Sequence, residues 1–427
     1  MSTILNPKLP ESTLVLHEEE NFLFLIPEKP DWLLVNGNMA KVLSYCDGTR
    51  SIEDIRKLIG DHPYASQAIE ELQKICKSGF FDPACNQECH KNQTLLHSLH
   101  LNMTALCNLK CIYCYAEERN NAFNNYLNFD EYRSLVDDVF SINPSCTMTF
   151  TGGEPLLSEN TIPVAKYCKE KGMPTFLLTN GCLVSPKNAQ ALADCFDTIR
   201  VSIDGASAPV HDILRGTGSF EKAMRGIALL EEHGKPPLVA MTVTNKNIQD
   251  IGPLAEKFGS RLTFQPLYNV GRARKLNLGV SGQEYYESLA SEKTVEPYAQ
   301  LSQHLLSLKN RGCTRCAMGD GELSVSPEGN VFPCHMLHEQ RYLAGNIREQ
   351  SFSEIYKNSM VLKEIRSFSV ETKESCRSCP VRLLCGGGCW ARAFLVNGDL
   401  NAPDPFCDYD FIAFQHGLLN SRAPENG

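Results

Sequence analysis

Apolar and polar positions alternate with three different rhythms along this chain. Over its first ninety residues, short apolar runs at Thr13–Leu16, Phe22–Leu25 and Trp32–Val35 are separated by polar or proline-containing turns, and they predict three small strands. Helical spacing follows at Asn38–Cys46, Ser51–Ile59 and Ala65–Gly79. Within the second of these, Ser51-Ile52-Glu53-Asp54 sets an acidic residue three positions after a serine, the pattern of a capping box. Three strands and three helices in so short a span predict a separate winged-helix-like unit, residues 1–90.

From Ser98 to Leu267 strand and helix patterns alternate six times. The expected strands are Leu99–Thr104, Thr147–Thr151, Thr175–Thr179, Ile199–Ile203, Leu238–Thr244 and Leu262–Leu267, with helices beginning near Asp130, Thr161, Pro186, Ser219 and Ile248. Such alternation predicts an α/β unit over residues 96–280, with a parallel sheet and right-handed crossovers. A connecting helix is expected from about Gly282 to Asn310, within 281–312. The remainder, 313–427, has little periodic apolar pattern but many glycines and cysteines. It needs another source of stability, and bound metal would supply one.

Composition narrows the function. The chain of 427 residues is 42% hydrophobic and 8% aromatic, ordinary for a globular protein. No apolar run approaches a membrane span of about 20 residues, and the N-terminus lacks the regions of a signal peptide. The expected location is therefore the cytoplasm. A net charge of −9, from 41 basic and 50 acidic residues, argues against a nucleic-acid partner. It also argues against a DNA-binding reading of the winged-helix-like unit, whose helices carry no row of Arg or Lys for phosphates. Nineteen cysteines are the outlier. A disulfide framework does not suit a reducing compartment, and the short spacings point to metal ligation instead.

Cys107, Cys111 and Cys114 form C-x3-C-x2-C directly after the first expected strand of the α/β unit. Three thiolates at this spacing can hold three corners of an iron–sulfur cube and leave the fourth iron open; a zinc site or scattered core cysteines are the alternatives. Thr151-Gly152-Gly153-Glu154-Pro155 follows the second strand. Its glycines let backbone approach a ligand closely, and Glu154 is an acceptor able to bind an ammonium group. Asn180 ends the third strand, Ser202 and Asp204 end the fourth, and Arg215 follows, each with a plainer reading as a turn or cap residue. Farther on, Cys316, Gly329 and Cys334 form C-x12-G-x4-C, and Cys376, Cys379, Cys385 and Cys389 form C-x2-C-x5-C-x3-C. With Cys313 and Cys407 there are eight thiols, enough for two fully ligated cubes or for zinc sites.

On the triplet and the glycine motif the sequence resembles the radical S-adenosylmethionine enzymes. The resemblance implies a partial (β/α)6 barrel in which the open iron is chelated by the amino and carboxylate groups of S-adenosylmethionine. Reductive cleavage of the sulfonium then yields a 5′-deoxyadenosyl radical. It further implies that Gly152, Gly153 and Glu154 bind the cofactor's amino group and that the backbone at Tyr113 meets adenine, while the Tyr113 ring shields the cluster. Asn180, Ser202 and Asp204 would line the pocket, the last two on the ribose, and Arg215 would pair with the carboxylate. The C-terminal spacing is similar to the SPASM extension of that family. It implies two auxiliary [4Fe–4S] clusters, the first on Cys313, Cys316, Cys334 and Cys389, the second on Cys376, Cys379, Cys385 and Cys407. That makes three clusters in all. Cys313 sits closer to Cys316 than in some relatives; without it, the first auxiliary cluster would have an open iron. The N-terminal unit, with Asn36-Gly37 and Asp47-Gly48-Thr49 before its first two helices, resembles a PqqD-type precursor-recognition element.

Together these features imply an enzyme that modifies a ribosomally made precursor peptide, its leader captured by the N-terminal unit and its electrons supplied by a flavodoxin- or ferredoxin-type reductant. A thioether from cysteine sulfur to carbon is the preferred product. Sulfatase maturation to formylglycine, carbon–carbon cross-linking, epimerisation and a non-catalytic peptide-binding scaffold are the alternatives. Deleting residues 1–90 is then expected to abolish precursor modification and leave cofactor cleavage largely intact. Cys46, Cys76, Cys146, Cys168, Cys182 and Cys195 read as small buried hydrophobes. Cys85 and Cys89 stay open between linker and redox or metal roles, and His335 and His338 between proton relay and local hydrogen bonding.

Overall fold

The computed structural model describes residues 6–82, 95–116, 125–292, 305–309 and 312–420; Cys85 and Cys89 lie outside them. The N-terminal strands β1 (Leu14–Glu18), β2 (Asn21–Ile26) and β3 (Asp31–Asn36) form an antiparallel meander. Helices α1 (Gly37–Leu43), α2 (Ile52–Ile59) and α3 (Ala65–Ser78) follow. The capping box forms as the sequence predicts, Ser51 and Asp54 each bonding the other's backbone. Because side chains alternate across a strand, Phe24, Ile26 and Val35 face the helices and share their core. Leu23, Leu25 and Trp32 face the opposite way and form a second core with Val381, Leu384, Phe414 and Leu418 from the end of the chain. This sheet is therefore covered on both faces, which explains why β2 reads as an almost unbroken apolar run. Lys309 fastens the junction, its Nζ donating to Trp32 O at 2.7 Å.

The second sheet has nine strands, six in chain order and, along the edge of the first of these, three short ones from the C-terminal segment. Six of its parallel strands, β4 (Ser98–Asn102), β5 (Thr147–Thr151), β6 (Thr175–Thr179), β7 (Thr198–Ser202), β8 (Leu238–Val243) and β9 (Leu262–Pro266), lie where the alternation placed them. Helices α4 (Phe129–Ile142), α5 (Thr161–Glu170), α6 (Ala189–Cys195), α7 (Ala208–Arg215), α8 (Ser219–Glu232) and α9 (Ile251–Phe258) connect them. Leu99 and Leu101 of β4 join the helix-covered core. His100 and Asn102 therefore point to the other face of the sheet.

Three expectations are corrected. The helix after β7, α7, was not foreseen; its eight residues begin with Ala208-Pro209, where proline suits a first helical turn. The connecting helix does not run unbroken to Asn310: α10 (Gly282–Ala290) ends before its C-cap Ser291, and residues 293–304 lie outside the described residues. The C-terminal segment is more regular than its pattern implies. β10 (Glu322–Val325) adds to β4 in parallel, and β11 (Asn330–Phe332) and β12 (Gly345–Asn346) extend the sheet. Strands of four, three and two residues are too short to show a period, and β4 supplies the template that orders them.

No disulfide joins any of the described cysteines. Cys46, Cys146, Cys168 and Cys195 are buried in the cores, and Cys76 and Cys182 pack against them, as small hydrophobes would. Burial pushes the thiols of Cys46, Cys146 and Cys168 up to about 12. No helix among the described residues is long and apolar enough to cross a membrane.

Candidate active site

Cys107, Cys111 and Cys114 lie together in the loop after β4, at the C-terminal edge of the parallel strands. Neighbouring loops clamp this one. Ile112 N donates to Leu214 O of α7 at 2.9 Å. From beyond β9, Arg272 gives its backbone N–H to Cys114 O and its guanidinium to Cys111 O, each at 3.2 Å. Gly271 permits that approach: its φ is +57°, and a Cβ there would stand 2.5 Å from Cys114 O.

The glycine motif has a local purpose. Gly153 N donates to Thr104 O and Glu154 N to Leu106 O, both at 2.8 Å. A Cβ at Gly153 would fall 2.1 Å from Leu106 O. The close approach is thus to the backbone of the cysteine loop. Glu154 is buried, and its carboxylate accepts from Thr179 Oγ1 at 2.7 Å, Asn180 N at 2.9 Å and Leu156 N at 3.2 Å. A carboxylate has about four acceptor directions, so roughly one remains for a ligand. Burial raises its pKa, which a bound ammonium would offset. Asn180 Nδ2 donates to Asn108 Oδ1 at 2.8 Å and lies 4.0 Å from Cys107 Sγ.

Asp204 and Arg215 are engaged with each other. Arg215 Nε and Nη2 reach Asp204 Oδ2 and Oδ1 at 2.5 and 3.3 Å. Tyr113 OH also donates to Asp204, and Thr242 N does so at 2.9 Å. Asp204 is fully buried, and burial pushes the Tyr113 hydroxyl well above its usual range. The ring of Tyr113 packs on Leu267, Ala273 and Leu278. Ser202 closes β7 and is partly exposed.

The C-terminal thiols gather around two cavities. One of about 350 Å³ is lined by Cys316, Cys334 and Cys389 together with Glu322, His335 and Asp410. The other, about 30 Å³, is lined by Cys376, Cys379, Cys385 and Cys407. Cys385 borders both. Cys313 borders neither; its Sγ contacts Arg315 O at 2.8 Å. Gly386, Gly387 and Gly388 all have positive φ, and they wrap the chain tightly enough for Gly388 N to donate to Cys385 Sγ at 3.1 Å. Sequence reading missed Arg392 and Asp404, which brace this turn: Arg392 Nε donates to Asp404 Oδ1 at 2.6 Å, and Cys389 N to Asp404 Oδ2 at 2.6 Å. No spacing or motif marks that pair.

Residues 101–258 match the radical SAM superfamily, and residues 316–380 match SPASM, an iron–sulfur cluster-binding domain. The AdoMet-dependent heme synthase of Methanosarcina barkeri is 32% identical over 72% of this chain and 95% of its own length. The chain belongs to the radical SAM superfamily. The mycofactocin maturase MftC of Mycobacterium ulcerans is 28% identical over 71% of this chain and 86% of its own. Streptococcus suis SuiB, solved with S-adenosylmethionine, superposes with a TM-score of 0.61 at 15% identity, over 94% of this chain and 99% of SuiB. That share is too large to leave out the N-terminal strands and helices, so the fold likeness includes them.

The donor set of this radical SAM enzyme fits iron–sulfur clusters. Burial pushes the Cys111 thiol up to about 11 and Cys316 to about 12, and drives Cys334 well above its usual range. Converging buried thiols become good ligands only when a cationic centre offsets that cost. The backbone N–H groups aimed at Cys385 and Cys389 add support, the second from Arg392 at 3.4 Å.

Proposed function

We propose that this radical SAM enzyme matures a ribosomally made precursor peptide, closing an intrapeptide thioether between a cysteine sulfur and a carbon. The carrying observation is the N-terminal meander, a three-stranded sheet whose outer strands are β1 and β3, packed directly on the cluster-binding segment. A leader peptide would add to an outer strand of this PqqD-like element by main-chain hydrogen bonds. It would thereby raise the local concentration of the core peptide. Support comes from SuiB, solved with its precursor peptide SuiA, and from the naming of MftC as a maturase.

In this reading Cys107, Cys111 and Cys114 hold one [4Fe–4S] cluster, Cys316, Cys334 and Cys389 a second, and Cys376, Cys379, Cys385 and Cys407 a third. With S-adenosylmethionine bound, the first would supply the 5′-deoxyadenosyl radical, fed by a flavodoxin- or ferredoxin-type reductant. Glu154 would orient the cofactor's ammonium through its remaining acceptor direction. Asn180, fixed on Asn108 beside Cys107, would border the cofactor, while Asp204, Arg215 and Tyr113 hold the loop and Ser202 faces the ribose. Forming one C–S bond takes two hydrogens from the peptide: one leaves as an atom to the radical, the other as a proton, with an electron to an auxiliary cluster.

A second reading rests on the 32% identity to a heme synthase, which makes a tetrapyrrole the competing substrate class. The test is anaerobic incubation of the reconstituted, reduced enzyme with S-adenosylmethionine and, in parallel reactions, a short cysteine-bearing peptide encoded near its gene if one is found there, and an iron porphyrin. Loss of two hydrogens that still blocks thiol alkylation after disulfide reduction is the expected result. An unchanged peptide, with a porphyrin consumed in its place, would overturn the proposal.

A further inference from the structure

One group of side chains is not accounted for by cofactor, clusters or fold. His100 points from β4 to the face of the sheet opposite its helix-covered core, Glu322 begins β10 beside it, and His335 follows β11. Glu322 Oε1 lies 2.8 Å from His335 Nδ1 and 3.5 Å from His100 Nε2. One ligand atom from each residue lies within 4.8 Å of the other two. The imidazoles stack with centroids 4.6 Å apart, both directed at the same carboxylate.

The deciding feature is His100. Its Nδ1 is buried without a hydrogen-bond partner, and 3.5 Å is too long for Nε2 to make a strong bond to Glu322. A buried imidazole left without a good hydrogen bond is costly.

We propose that His100, Glu322 and His335 bind a divalent first-row transition-metal ion through two imidazole nitrogens and a carboxylate oxygen. This donor set suits iron(II), zinc and their neighbours, and three protein ligands leave positions open. Glu322 and His335 also line the 350 Å³ cavity of Cys316, Cys334 and Cys389, so an open position can face it. The positive group near His100 is Arg200, which opposes a bound cation. The site joins β4 to β10, the seam between the parallel strands and the cluster-binding extension. It stands independently of which substrate the enzyme takes.

The experiment is anaerobic dialysis of cluster-loaded protein against zinc, with zinc, iron and sulfide measured together, for the unmodified chain and for His100→Leu and Glu322→Gln. About one zinc per chain is expected in the unmodified protein, and at least about tenfold weaker binding in each variant at unchanged iron and sulfide. Zinc X-ray absorption should show nitrogen and oxygen neighbours alone. If one variant loses iron, the other variant and the absorption spectrum of the unmodified protein carry the decision. Equal zinc in all three proteins, sulfur neighbours around the zinc, or no bound zinc would each overturn the site.

Discussion

Arg215 grips Asp204 with two hydrogen bonds, Nε to Oδ2 at 2.5 Å and Nη2 to Oδ1 at 3.3 Å, and the carboxylate is wholly out of solvent. Through Tyr113, whose hydroxyl donates to the same carboxylate, the pair fixes the cysteine loop. Removing one partner of a buried pair costs about 3–5 kcal/mol, whereas replacing both with neutral groups often costs little. Arg215→Ala should therefore lower the denaturation midpoint sharply, and Arg215→Met with Asp204→Asn should restore most of it. Cofactor affinity separates two roles. If binding returns with stability, Arg215 acts as a tether; if stability returns alone, Arg215 also meets the cofactor.

His211 ties stability to pH. Its Nδ1 accepts from Asp204 N at 3.1 Å, so the ring must be neutral. Burial and Arg215, partly opposed by Asp204 and Asp212, bring its pKa from 6.5 down to about 4. A depressed pKa means that the unfolded chain takes up the proton first as pH falls. The contribution is complete above about 6.5 and disappears through about 4, with a slope of at most about 1.4 kcal/mol per pH unit. His100 adds a slope of the same sign. Denaturation of the holoprotein at pH 7 and pH 5 should show a shallower pH dependence for His211→Gln than for the unmodified protein.

Gly153→Ala should be severe for a steric reason alone. The added Cβ would stand 2.1 Å from Leu106 O, so the cysteine loop must move; overpacking of this kind costs about 1–3 kcal/mol. Gly37→Ala is the control, since its Cβ would meet only Phe22 at an ordinary 3.5 Å. Iron content and 5′-deoxyadenosine release should fall in the first variant and hold in the second.

Cys313 faces Arg315 O and borders neither thiol-lined cavity. Cys313→Ala should keep its full iron, while Cys316→Ala should lose about four irons per chain. Equal losses would show that Cys313 turns inward to complete the first auxiliary cluster, as its family resemblance implies.

Removing residues 1–82 should do more than prevent peptide capture. It uncovers Val381, Leu384, Phe414 and Leu418, and Cys379 and Cys385 pack against that same core. Iron at the second auxiliary site and monomeric behaviour on size exclusion should both decline. Retention of both would mean that the N-terminal unit is separable after all.

The sequence by itself determined what repeats locally. The six parallel strands declare themselves because each apolar run is long enough to show a period and is flanked by helical spacing. The triplet Cys107, Cys111 and Cys114 is equally legible, since thiols within eight residues can meet without any knowledge of the fold. Tertiary structure decided what depends on partners distant in sequence. β10 exists because β4 offers it an edge more than two hundred residues away. Asp204 is directed to Arg215 by the position of α7, which a short alanine- and proline-led segment does not announce. The gathering of seven C-terminal thiols around two cavities, with Cys313 outside both, follows from three left-handed glycines and the Arg392–Asp404 brace. The second face of the N-terminal sheet is covered by Val381, Leu384, Phe414 and Leu418, from the far end of the chain. Contacts of that range leave no periodic trace, because the chain between them is free to vary while the two surfaces still meet.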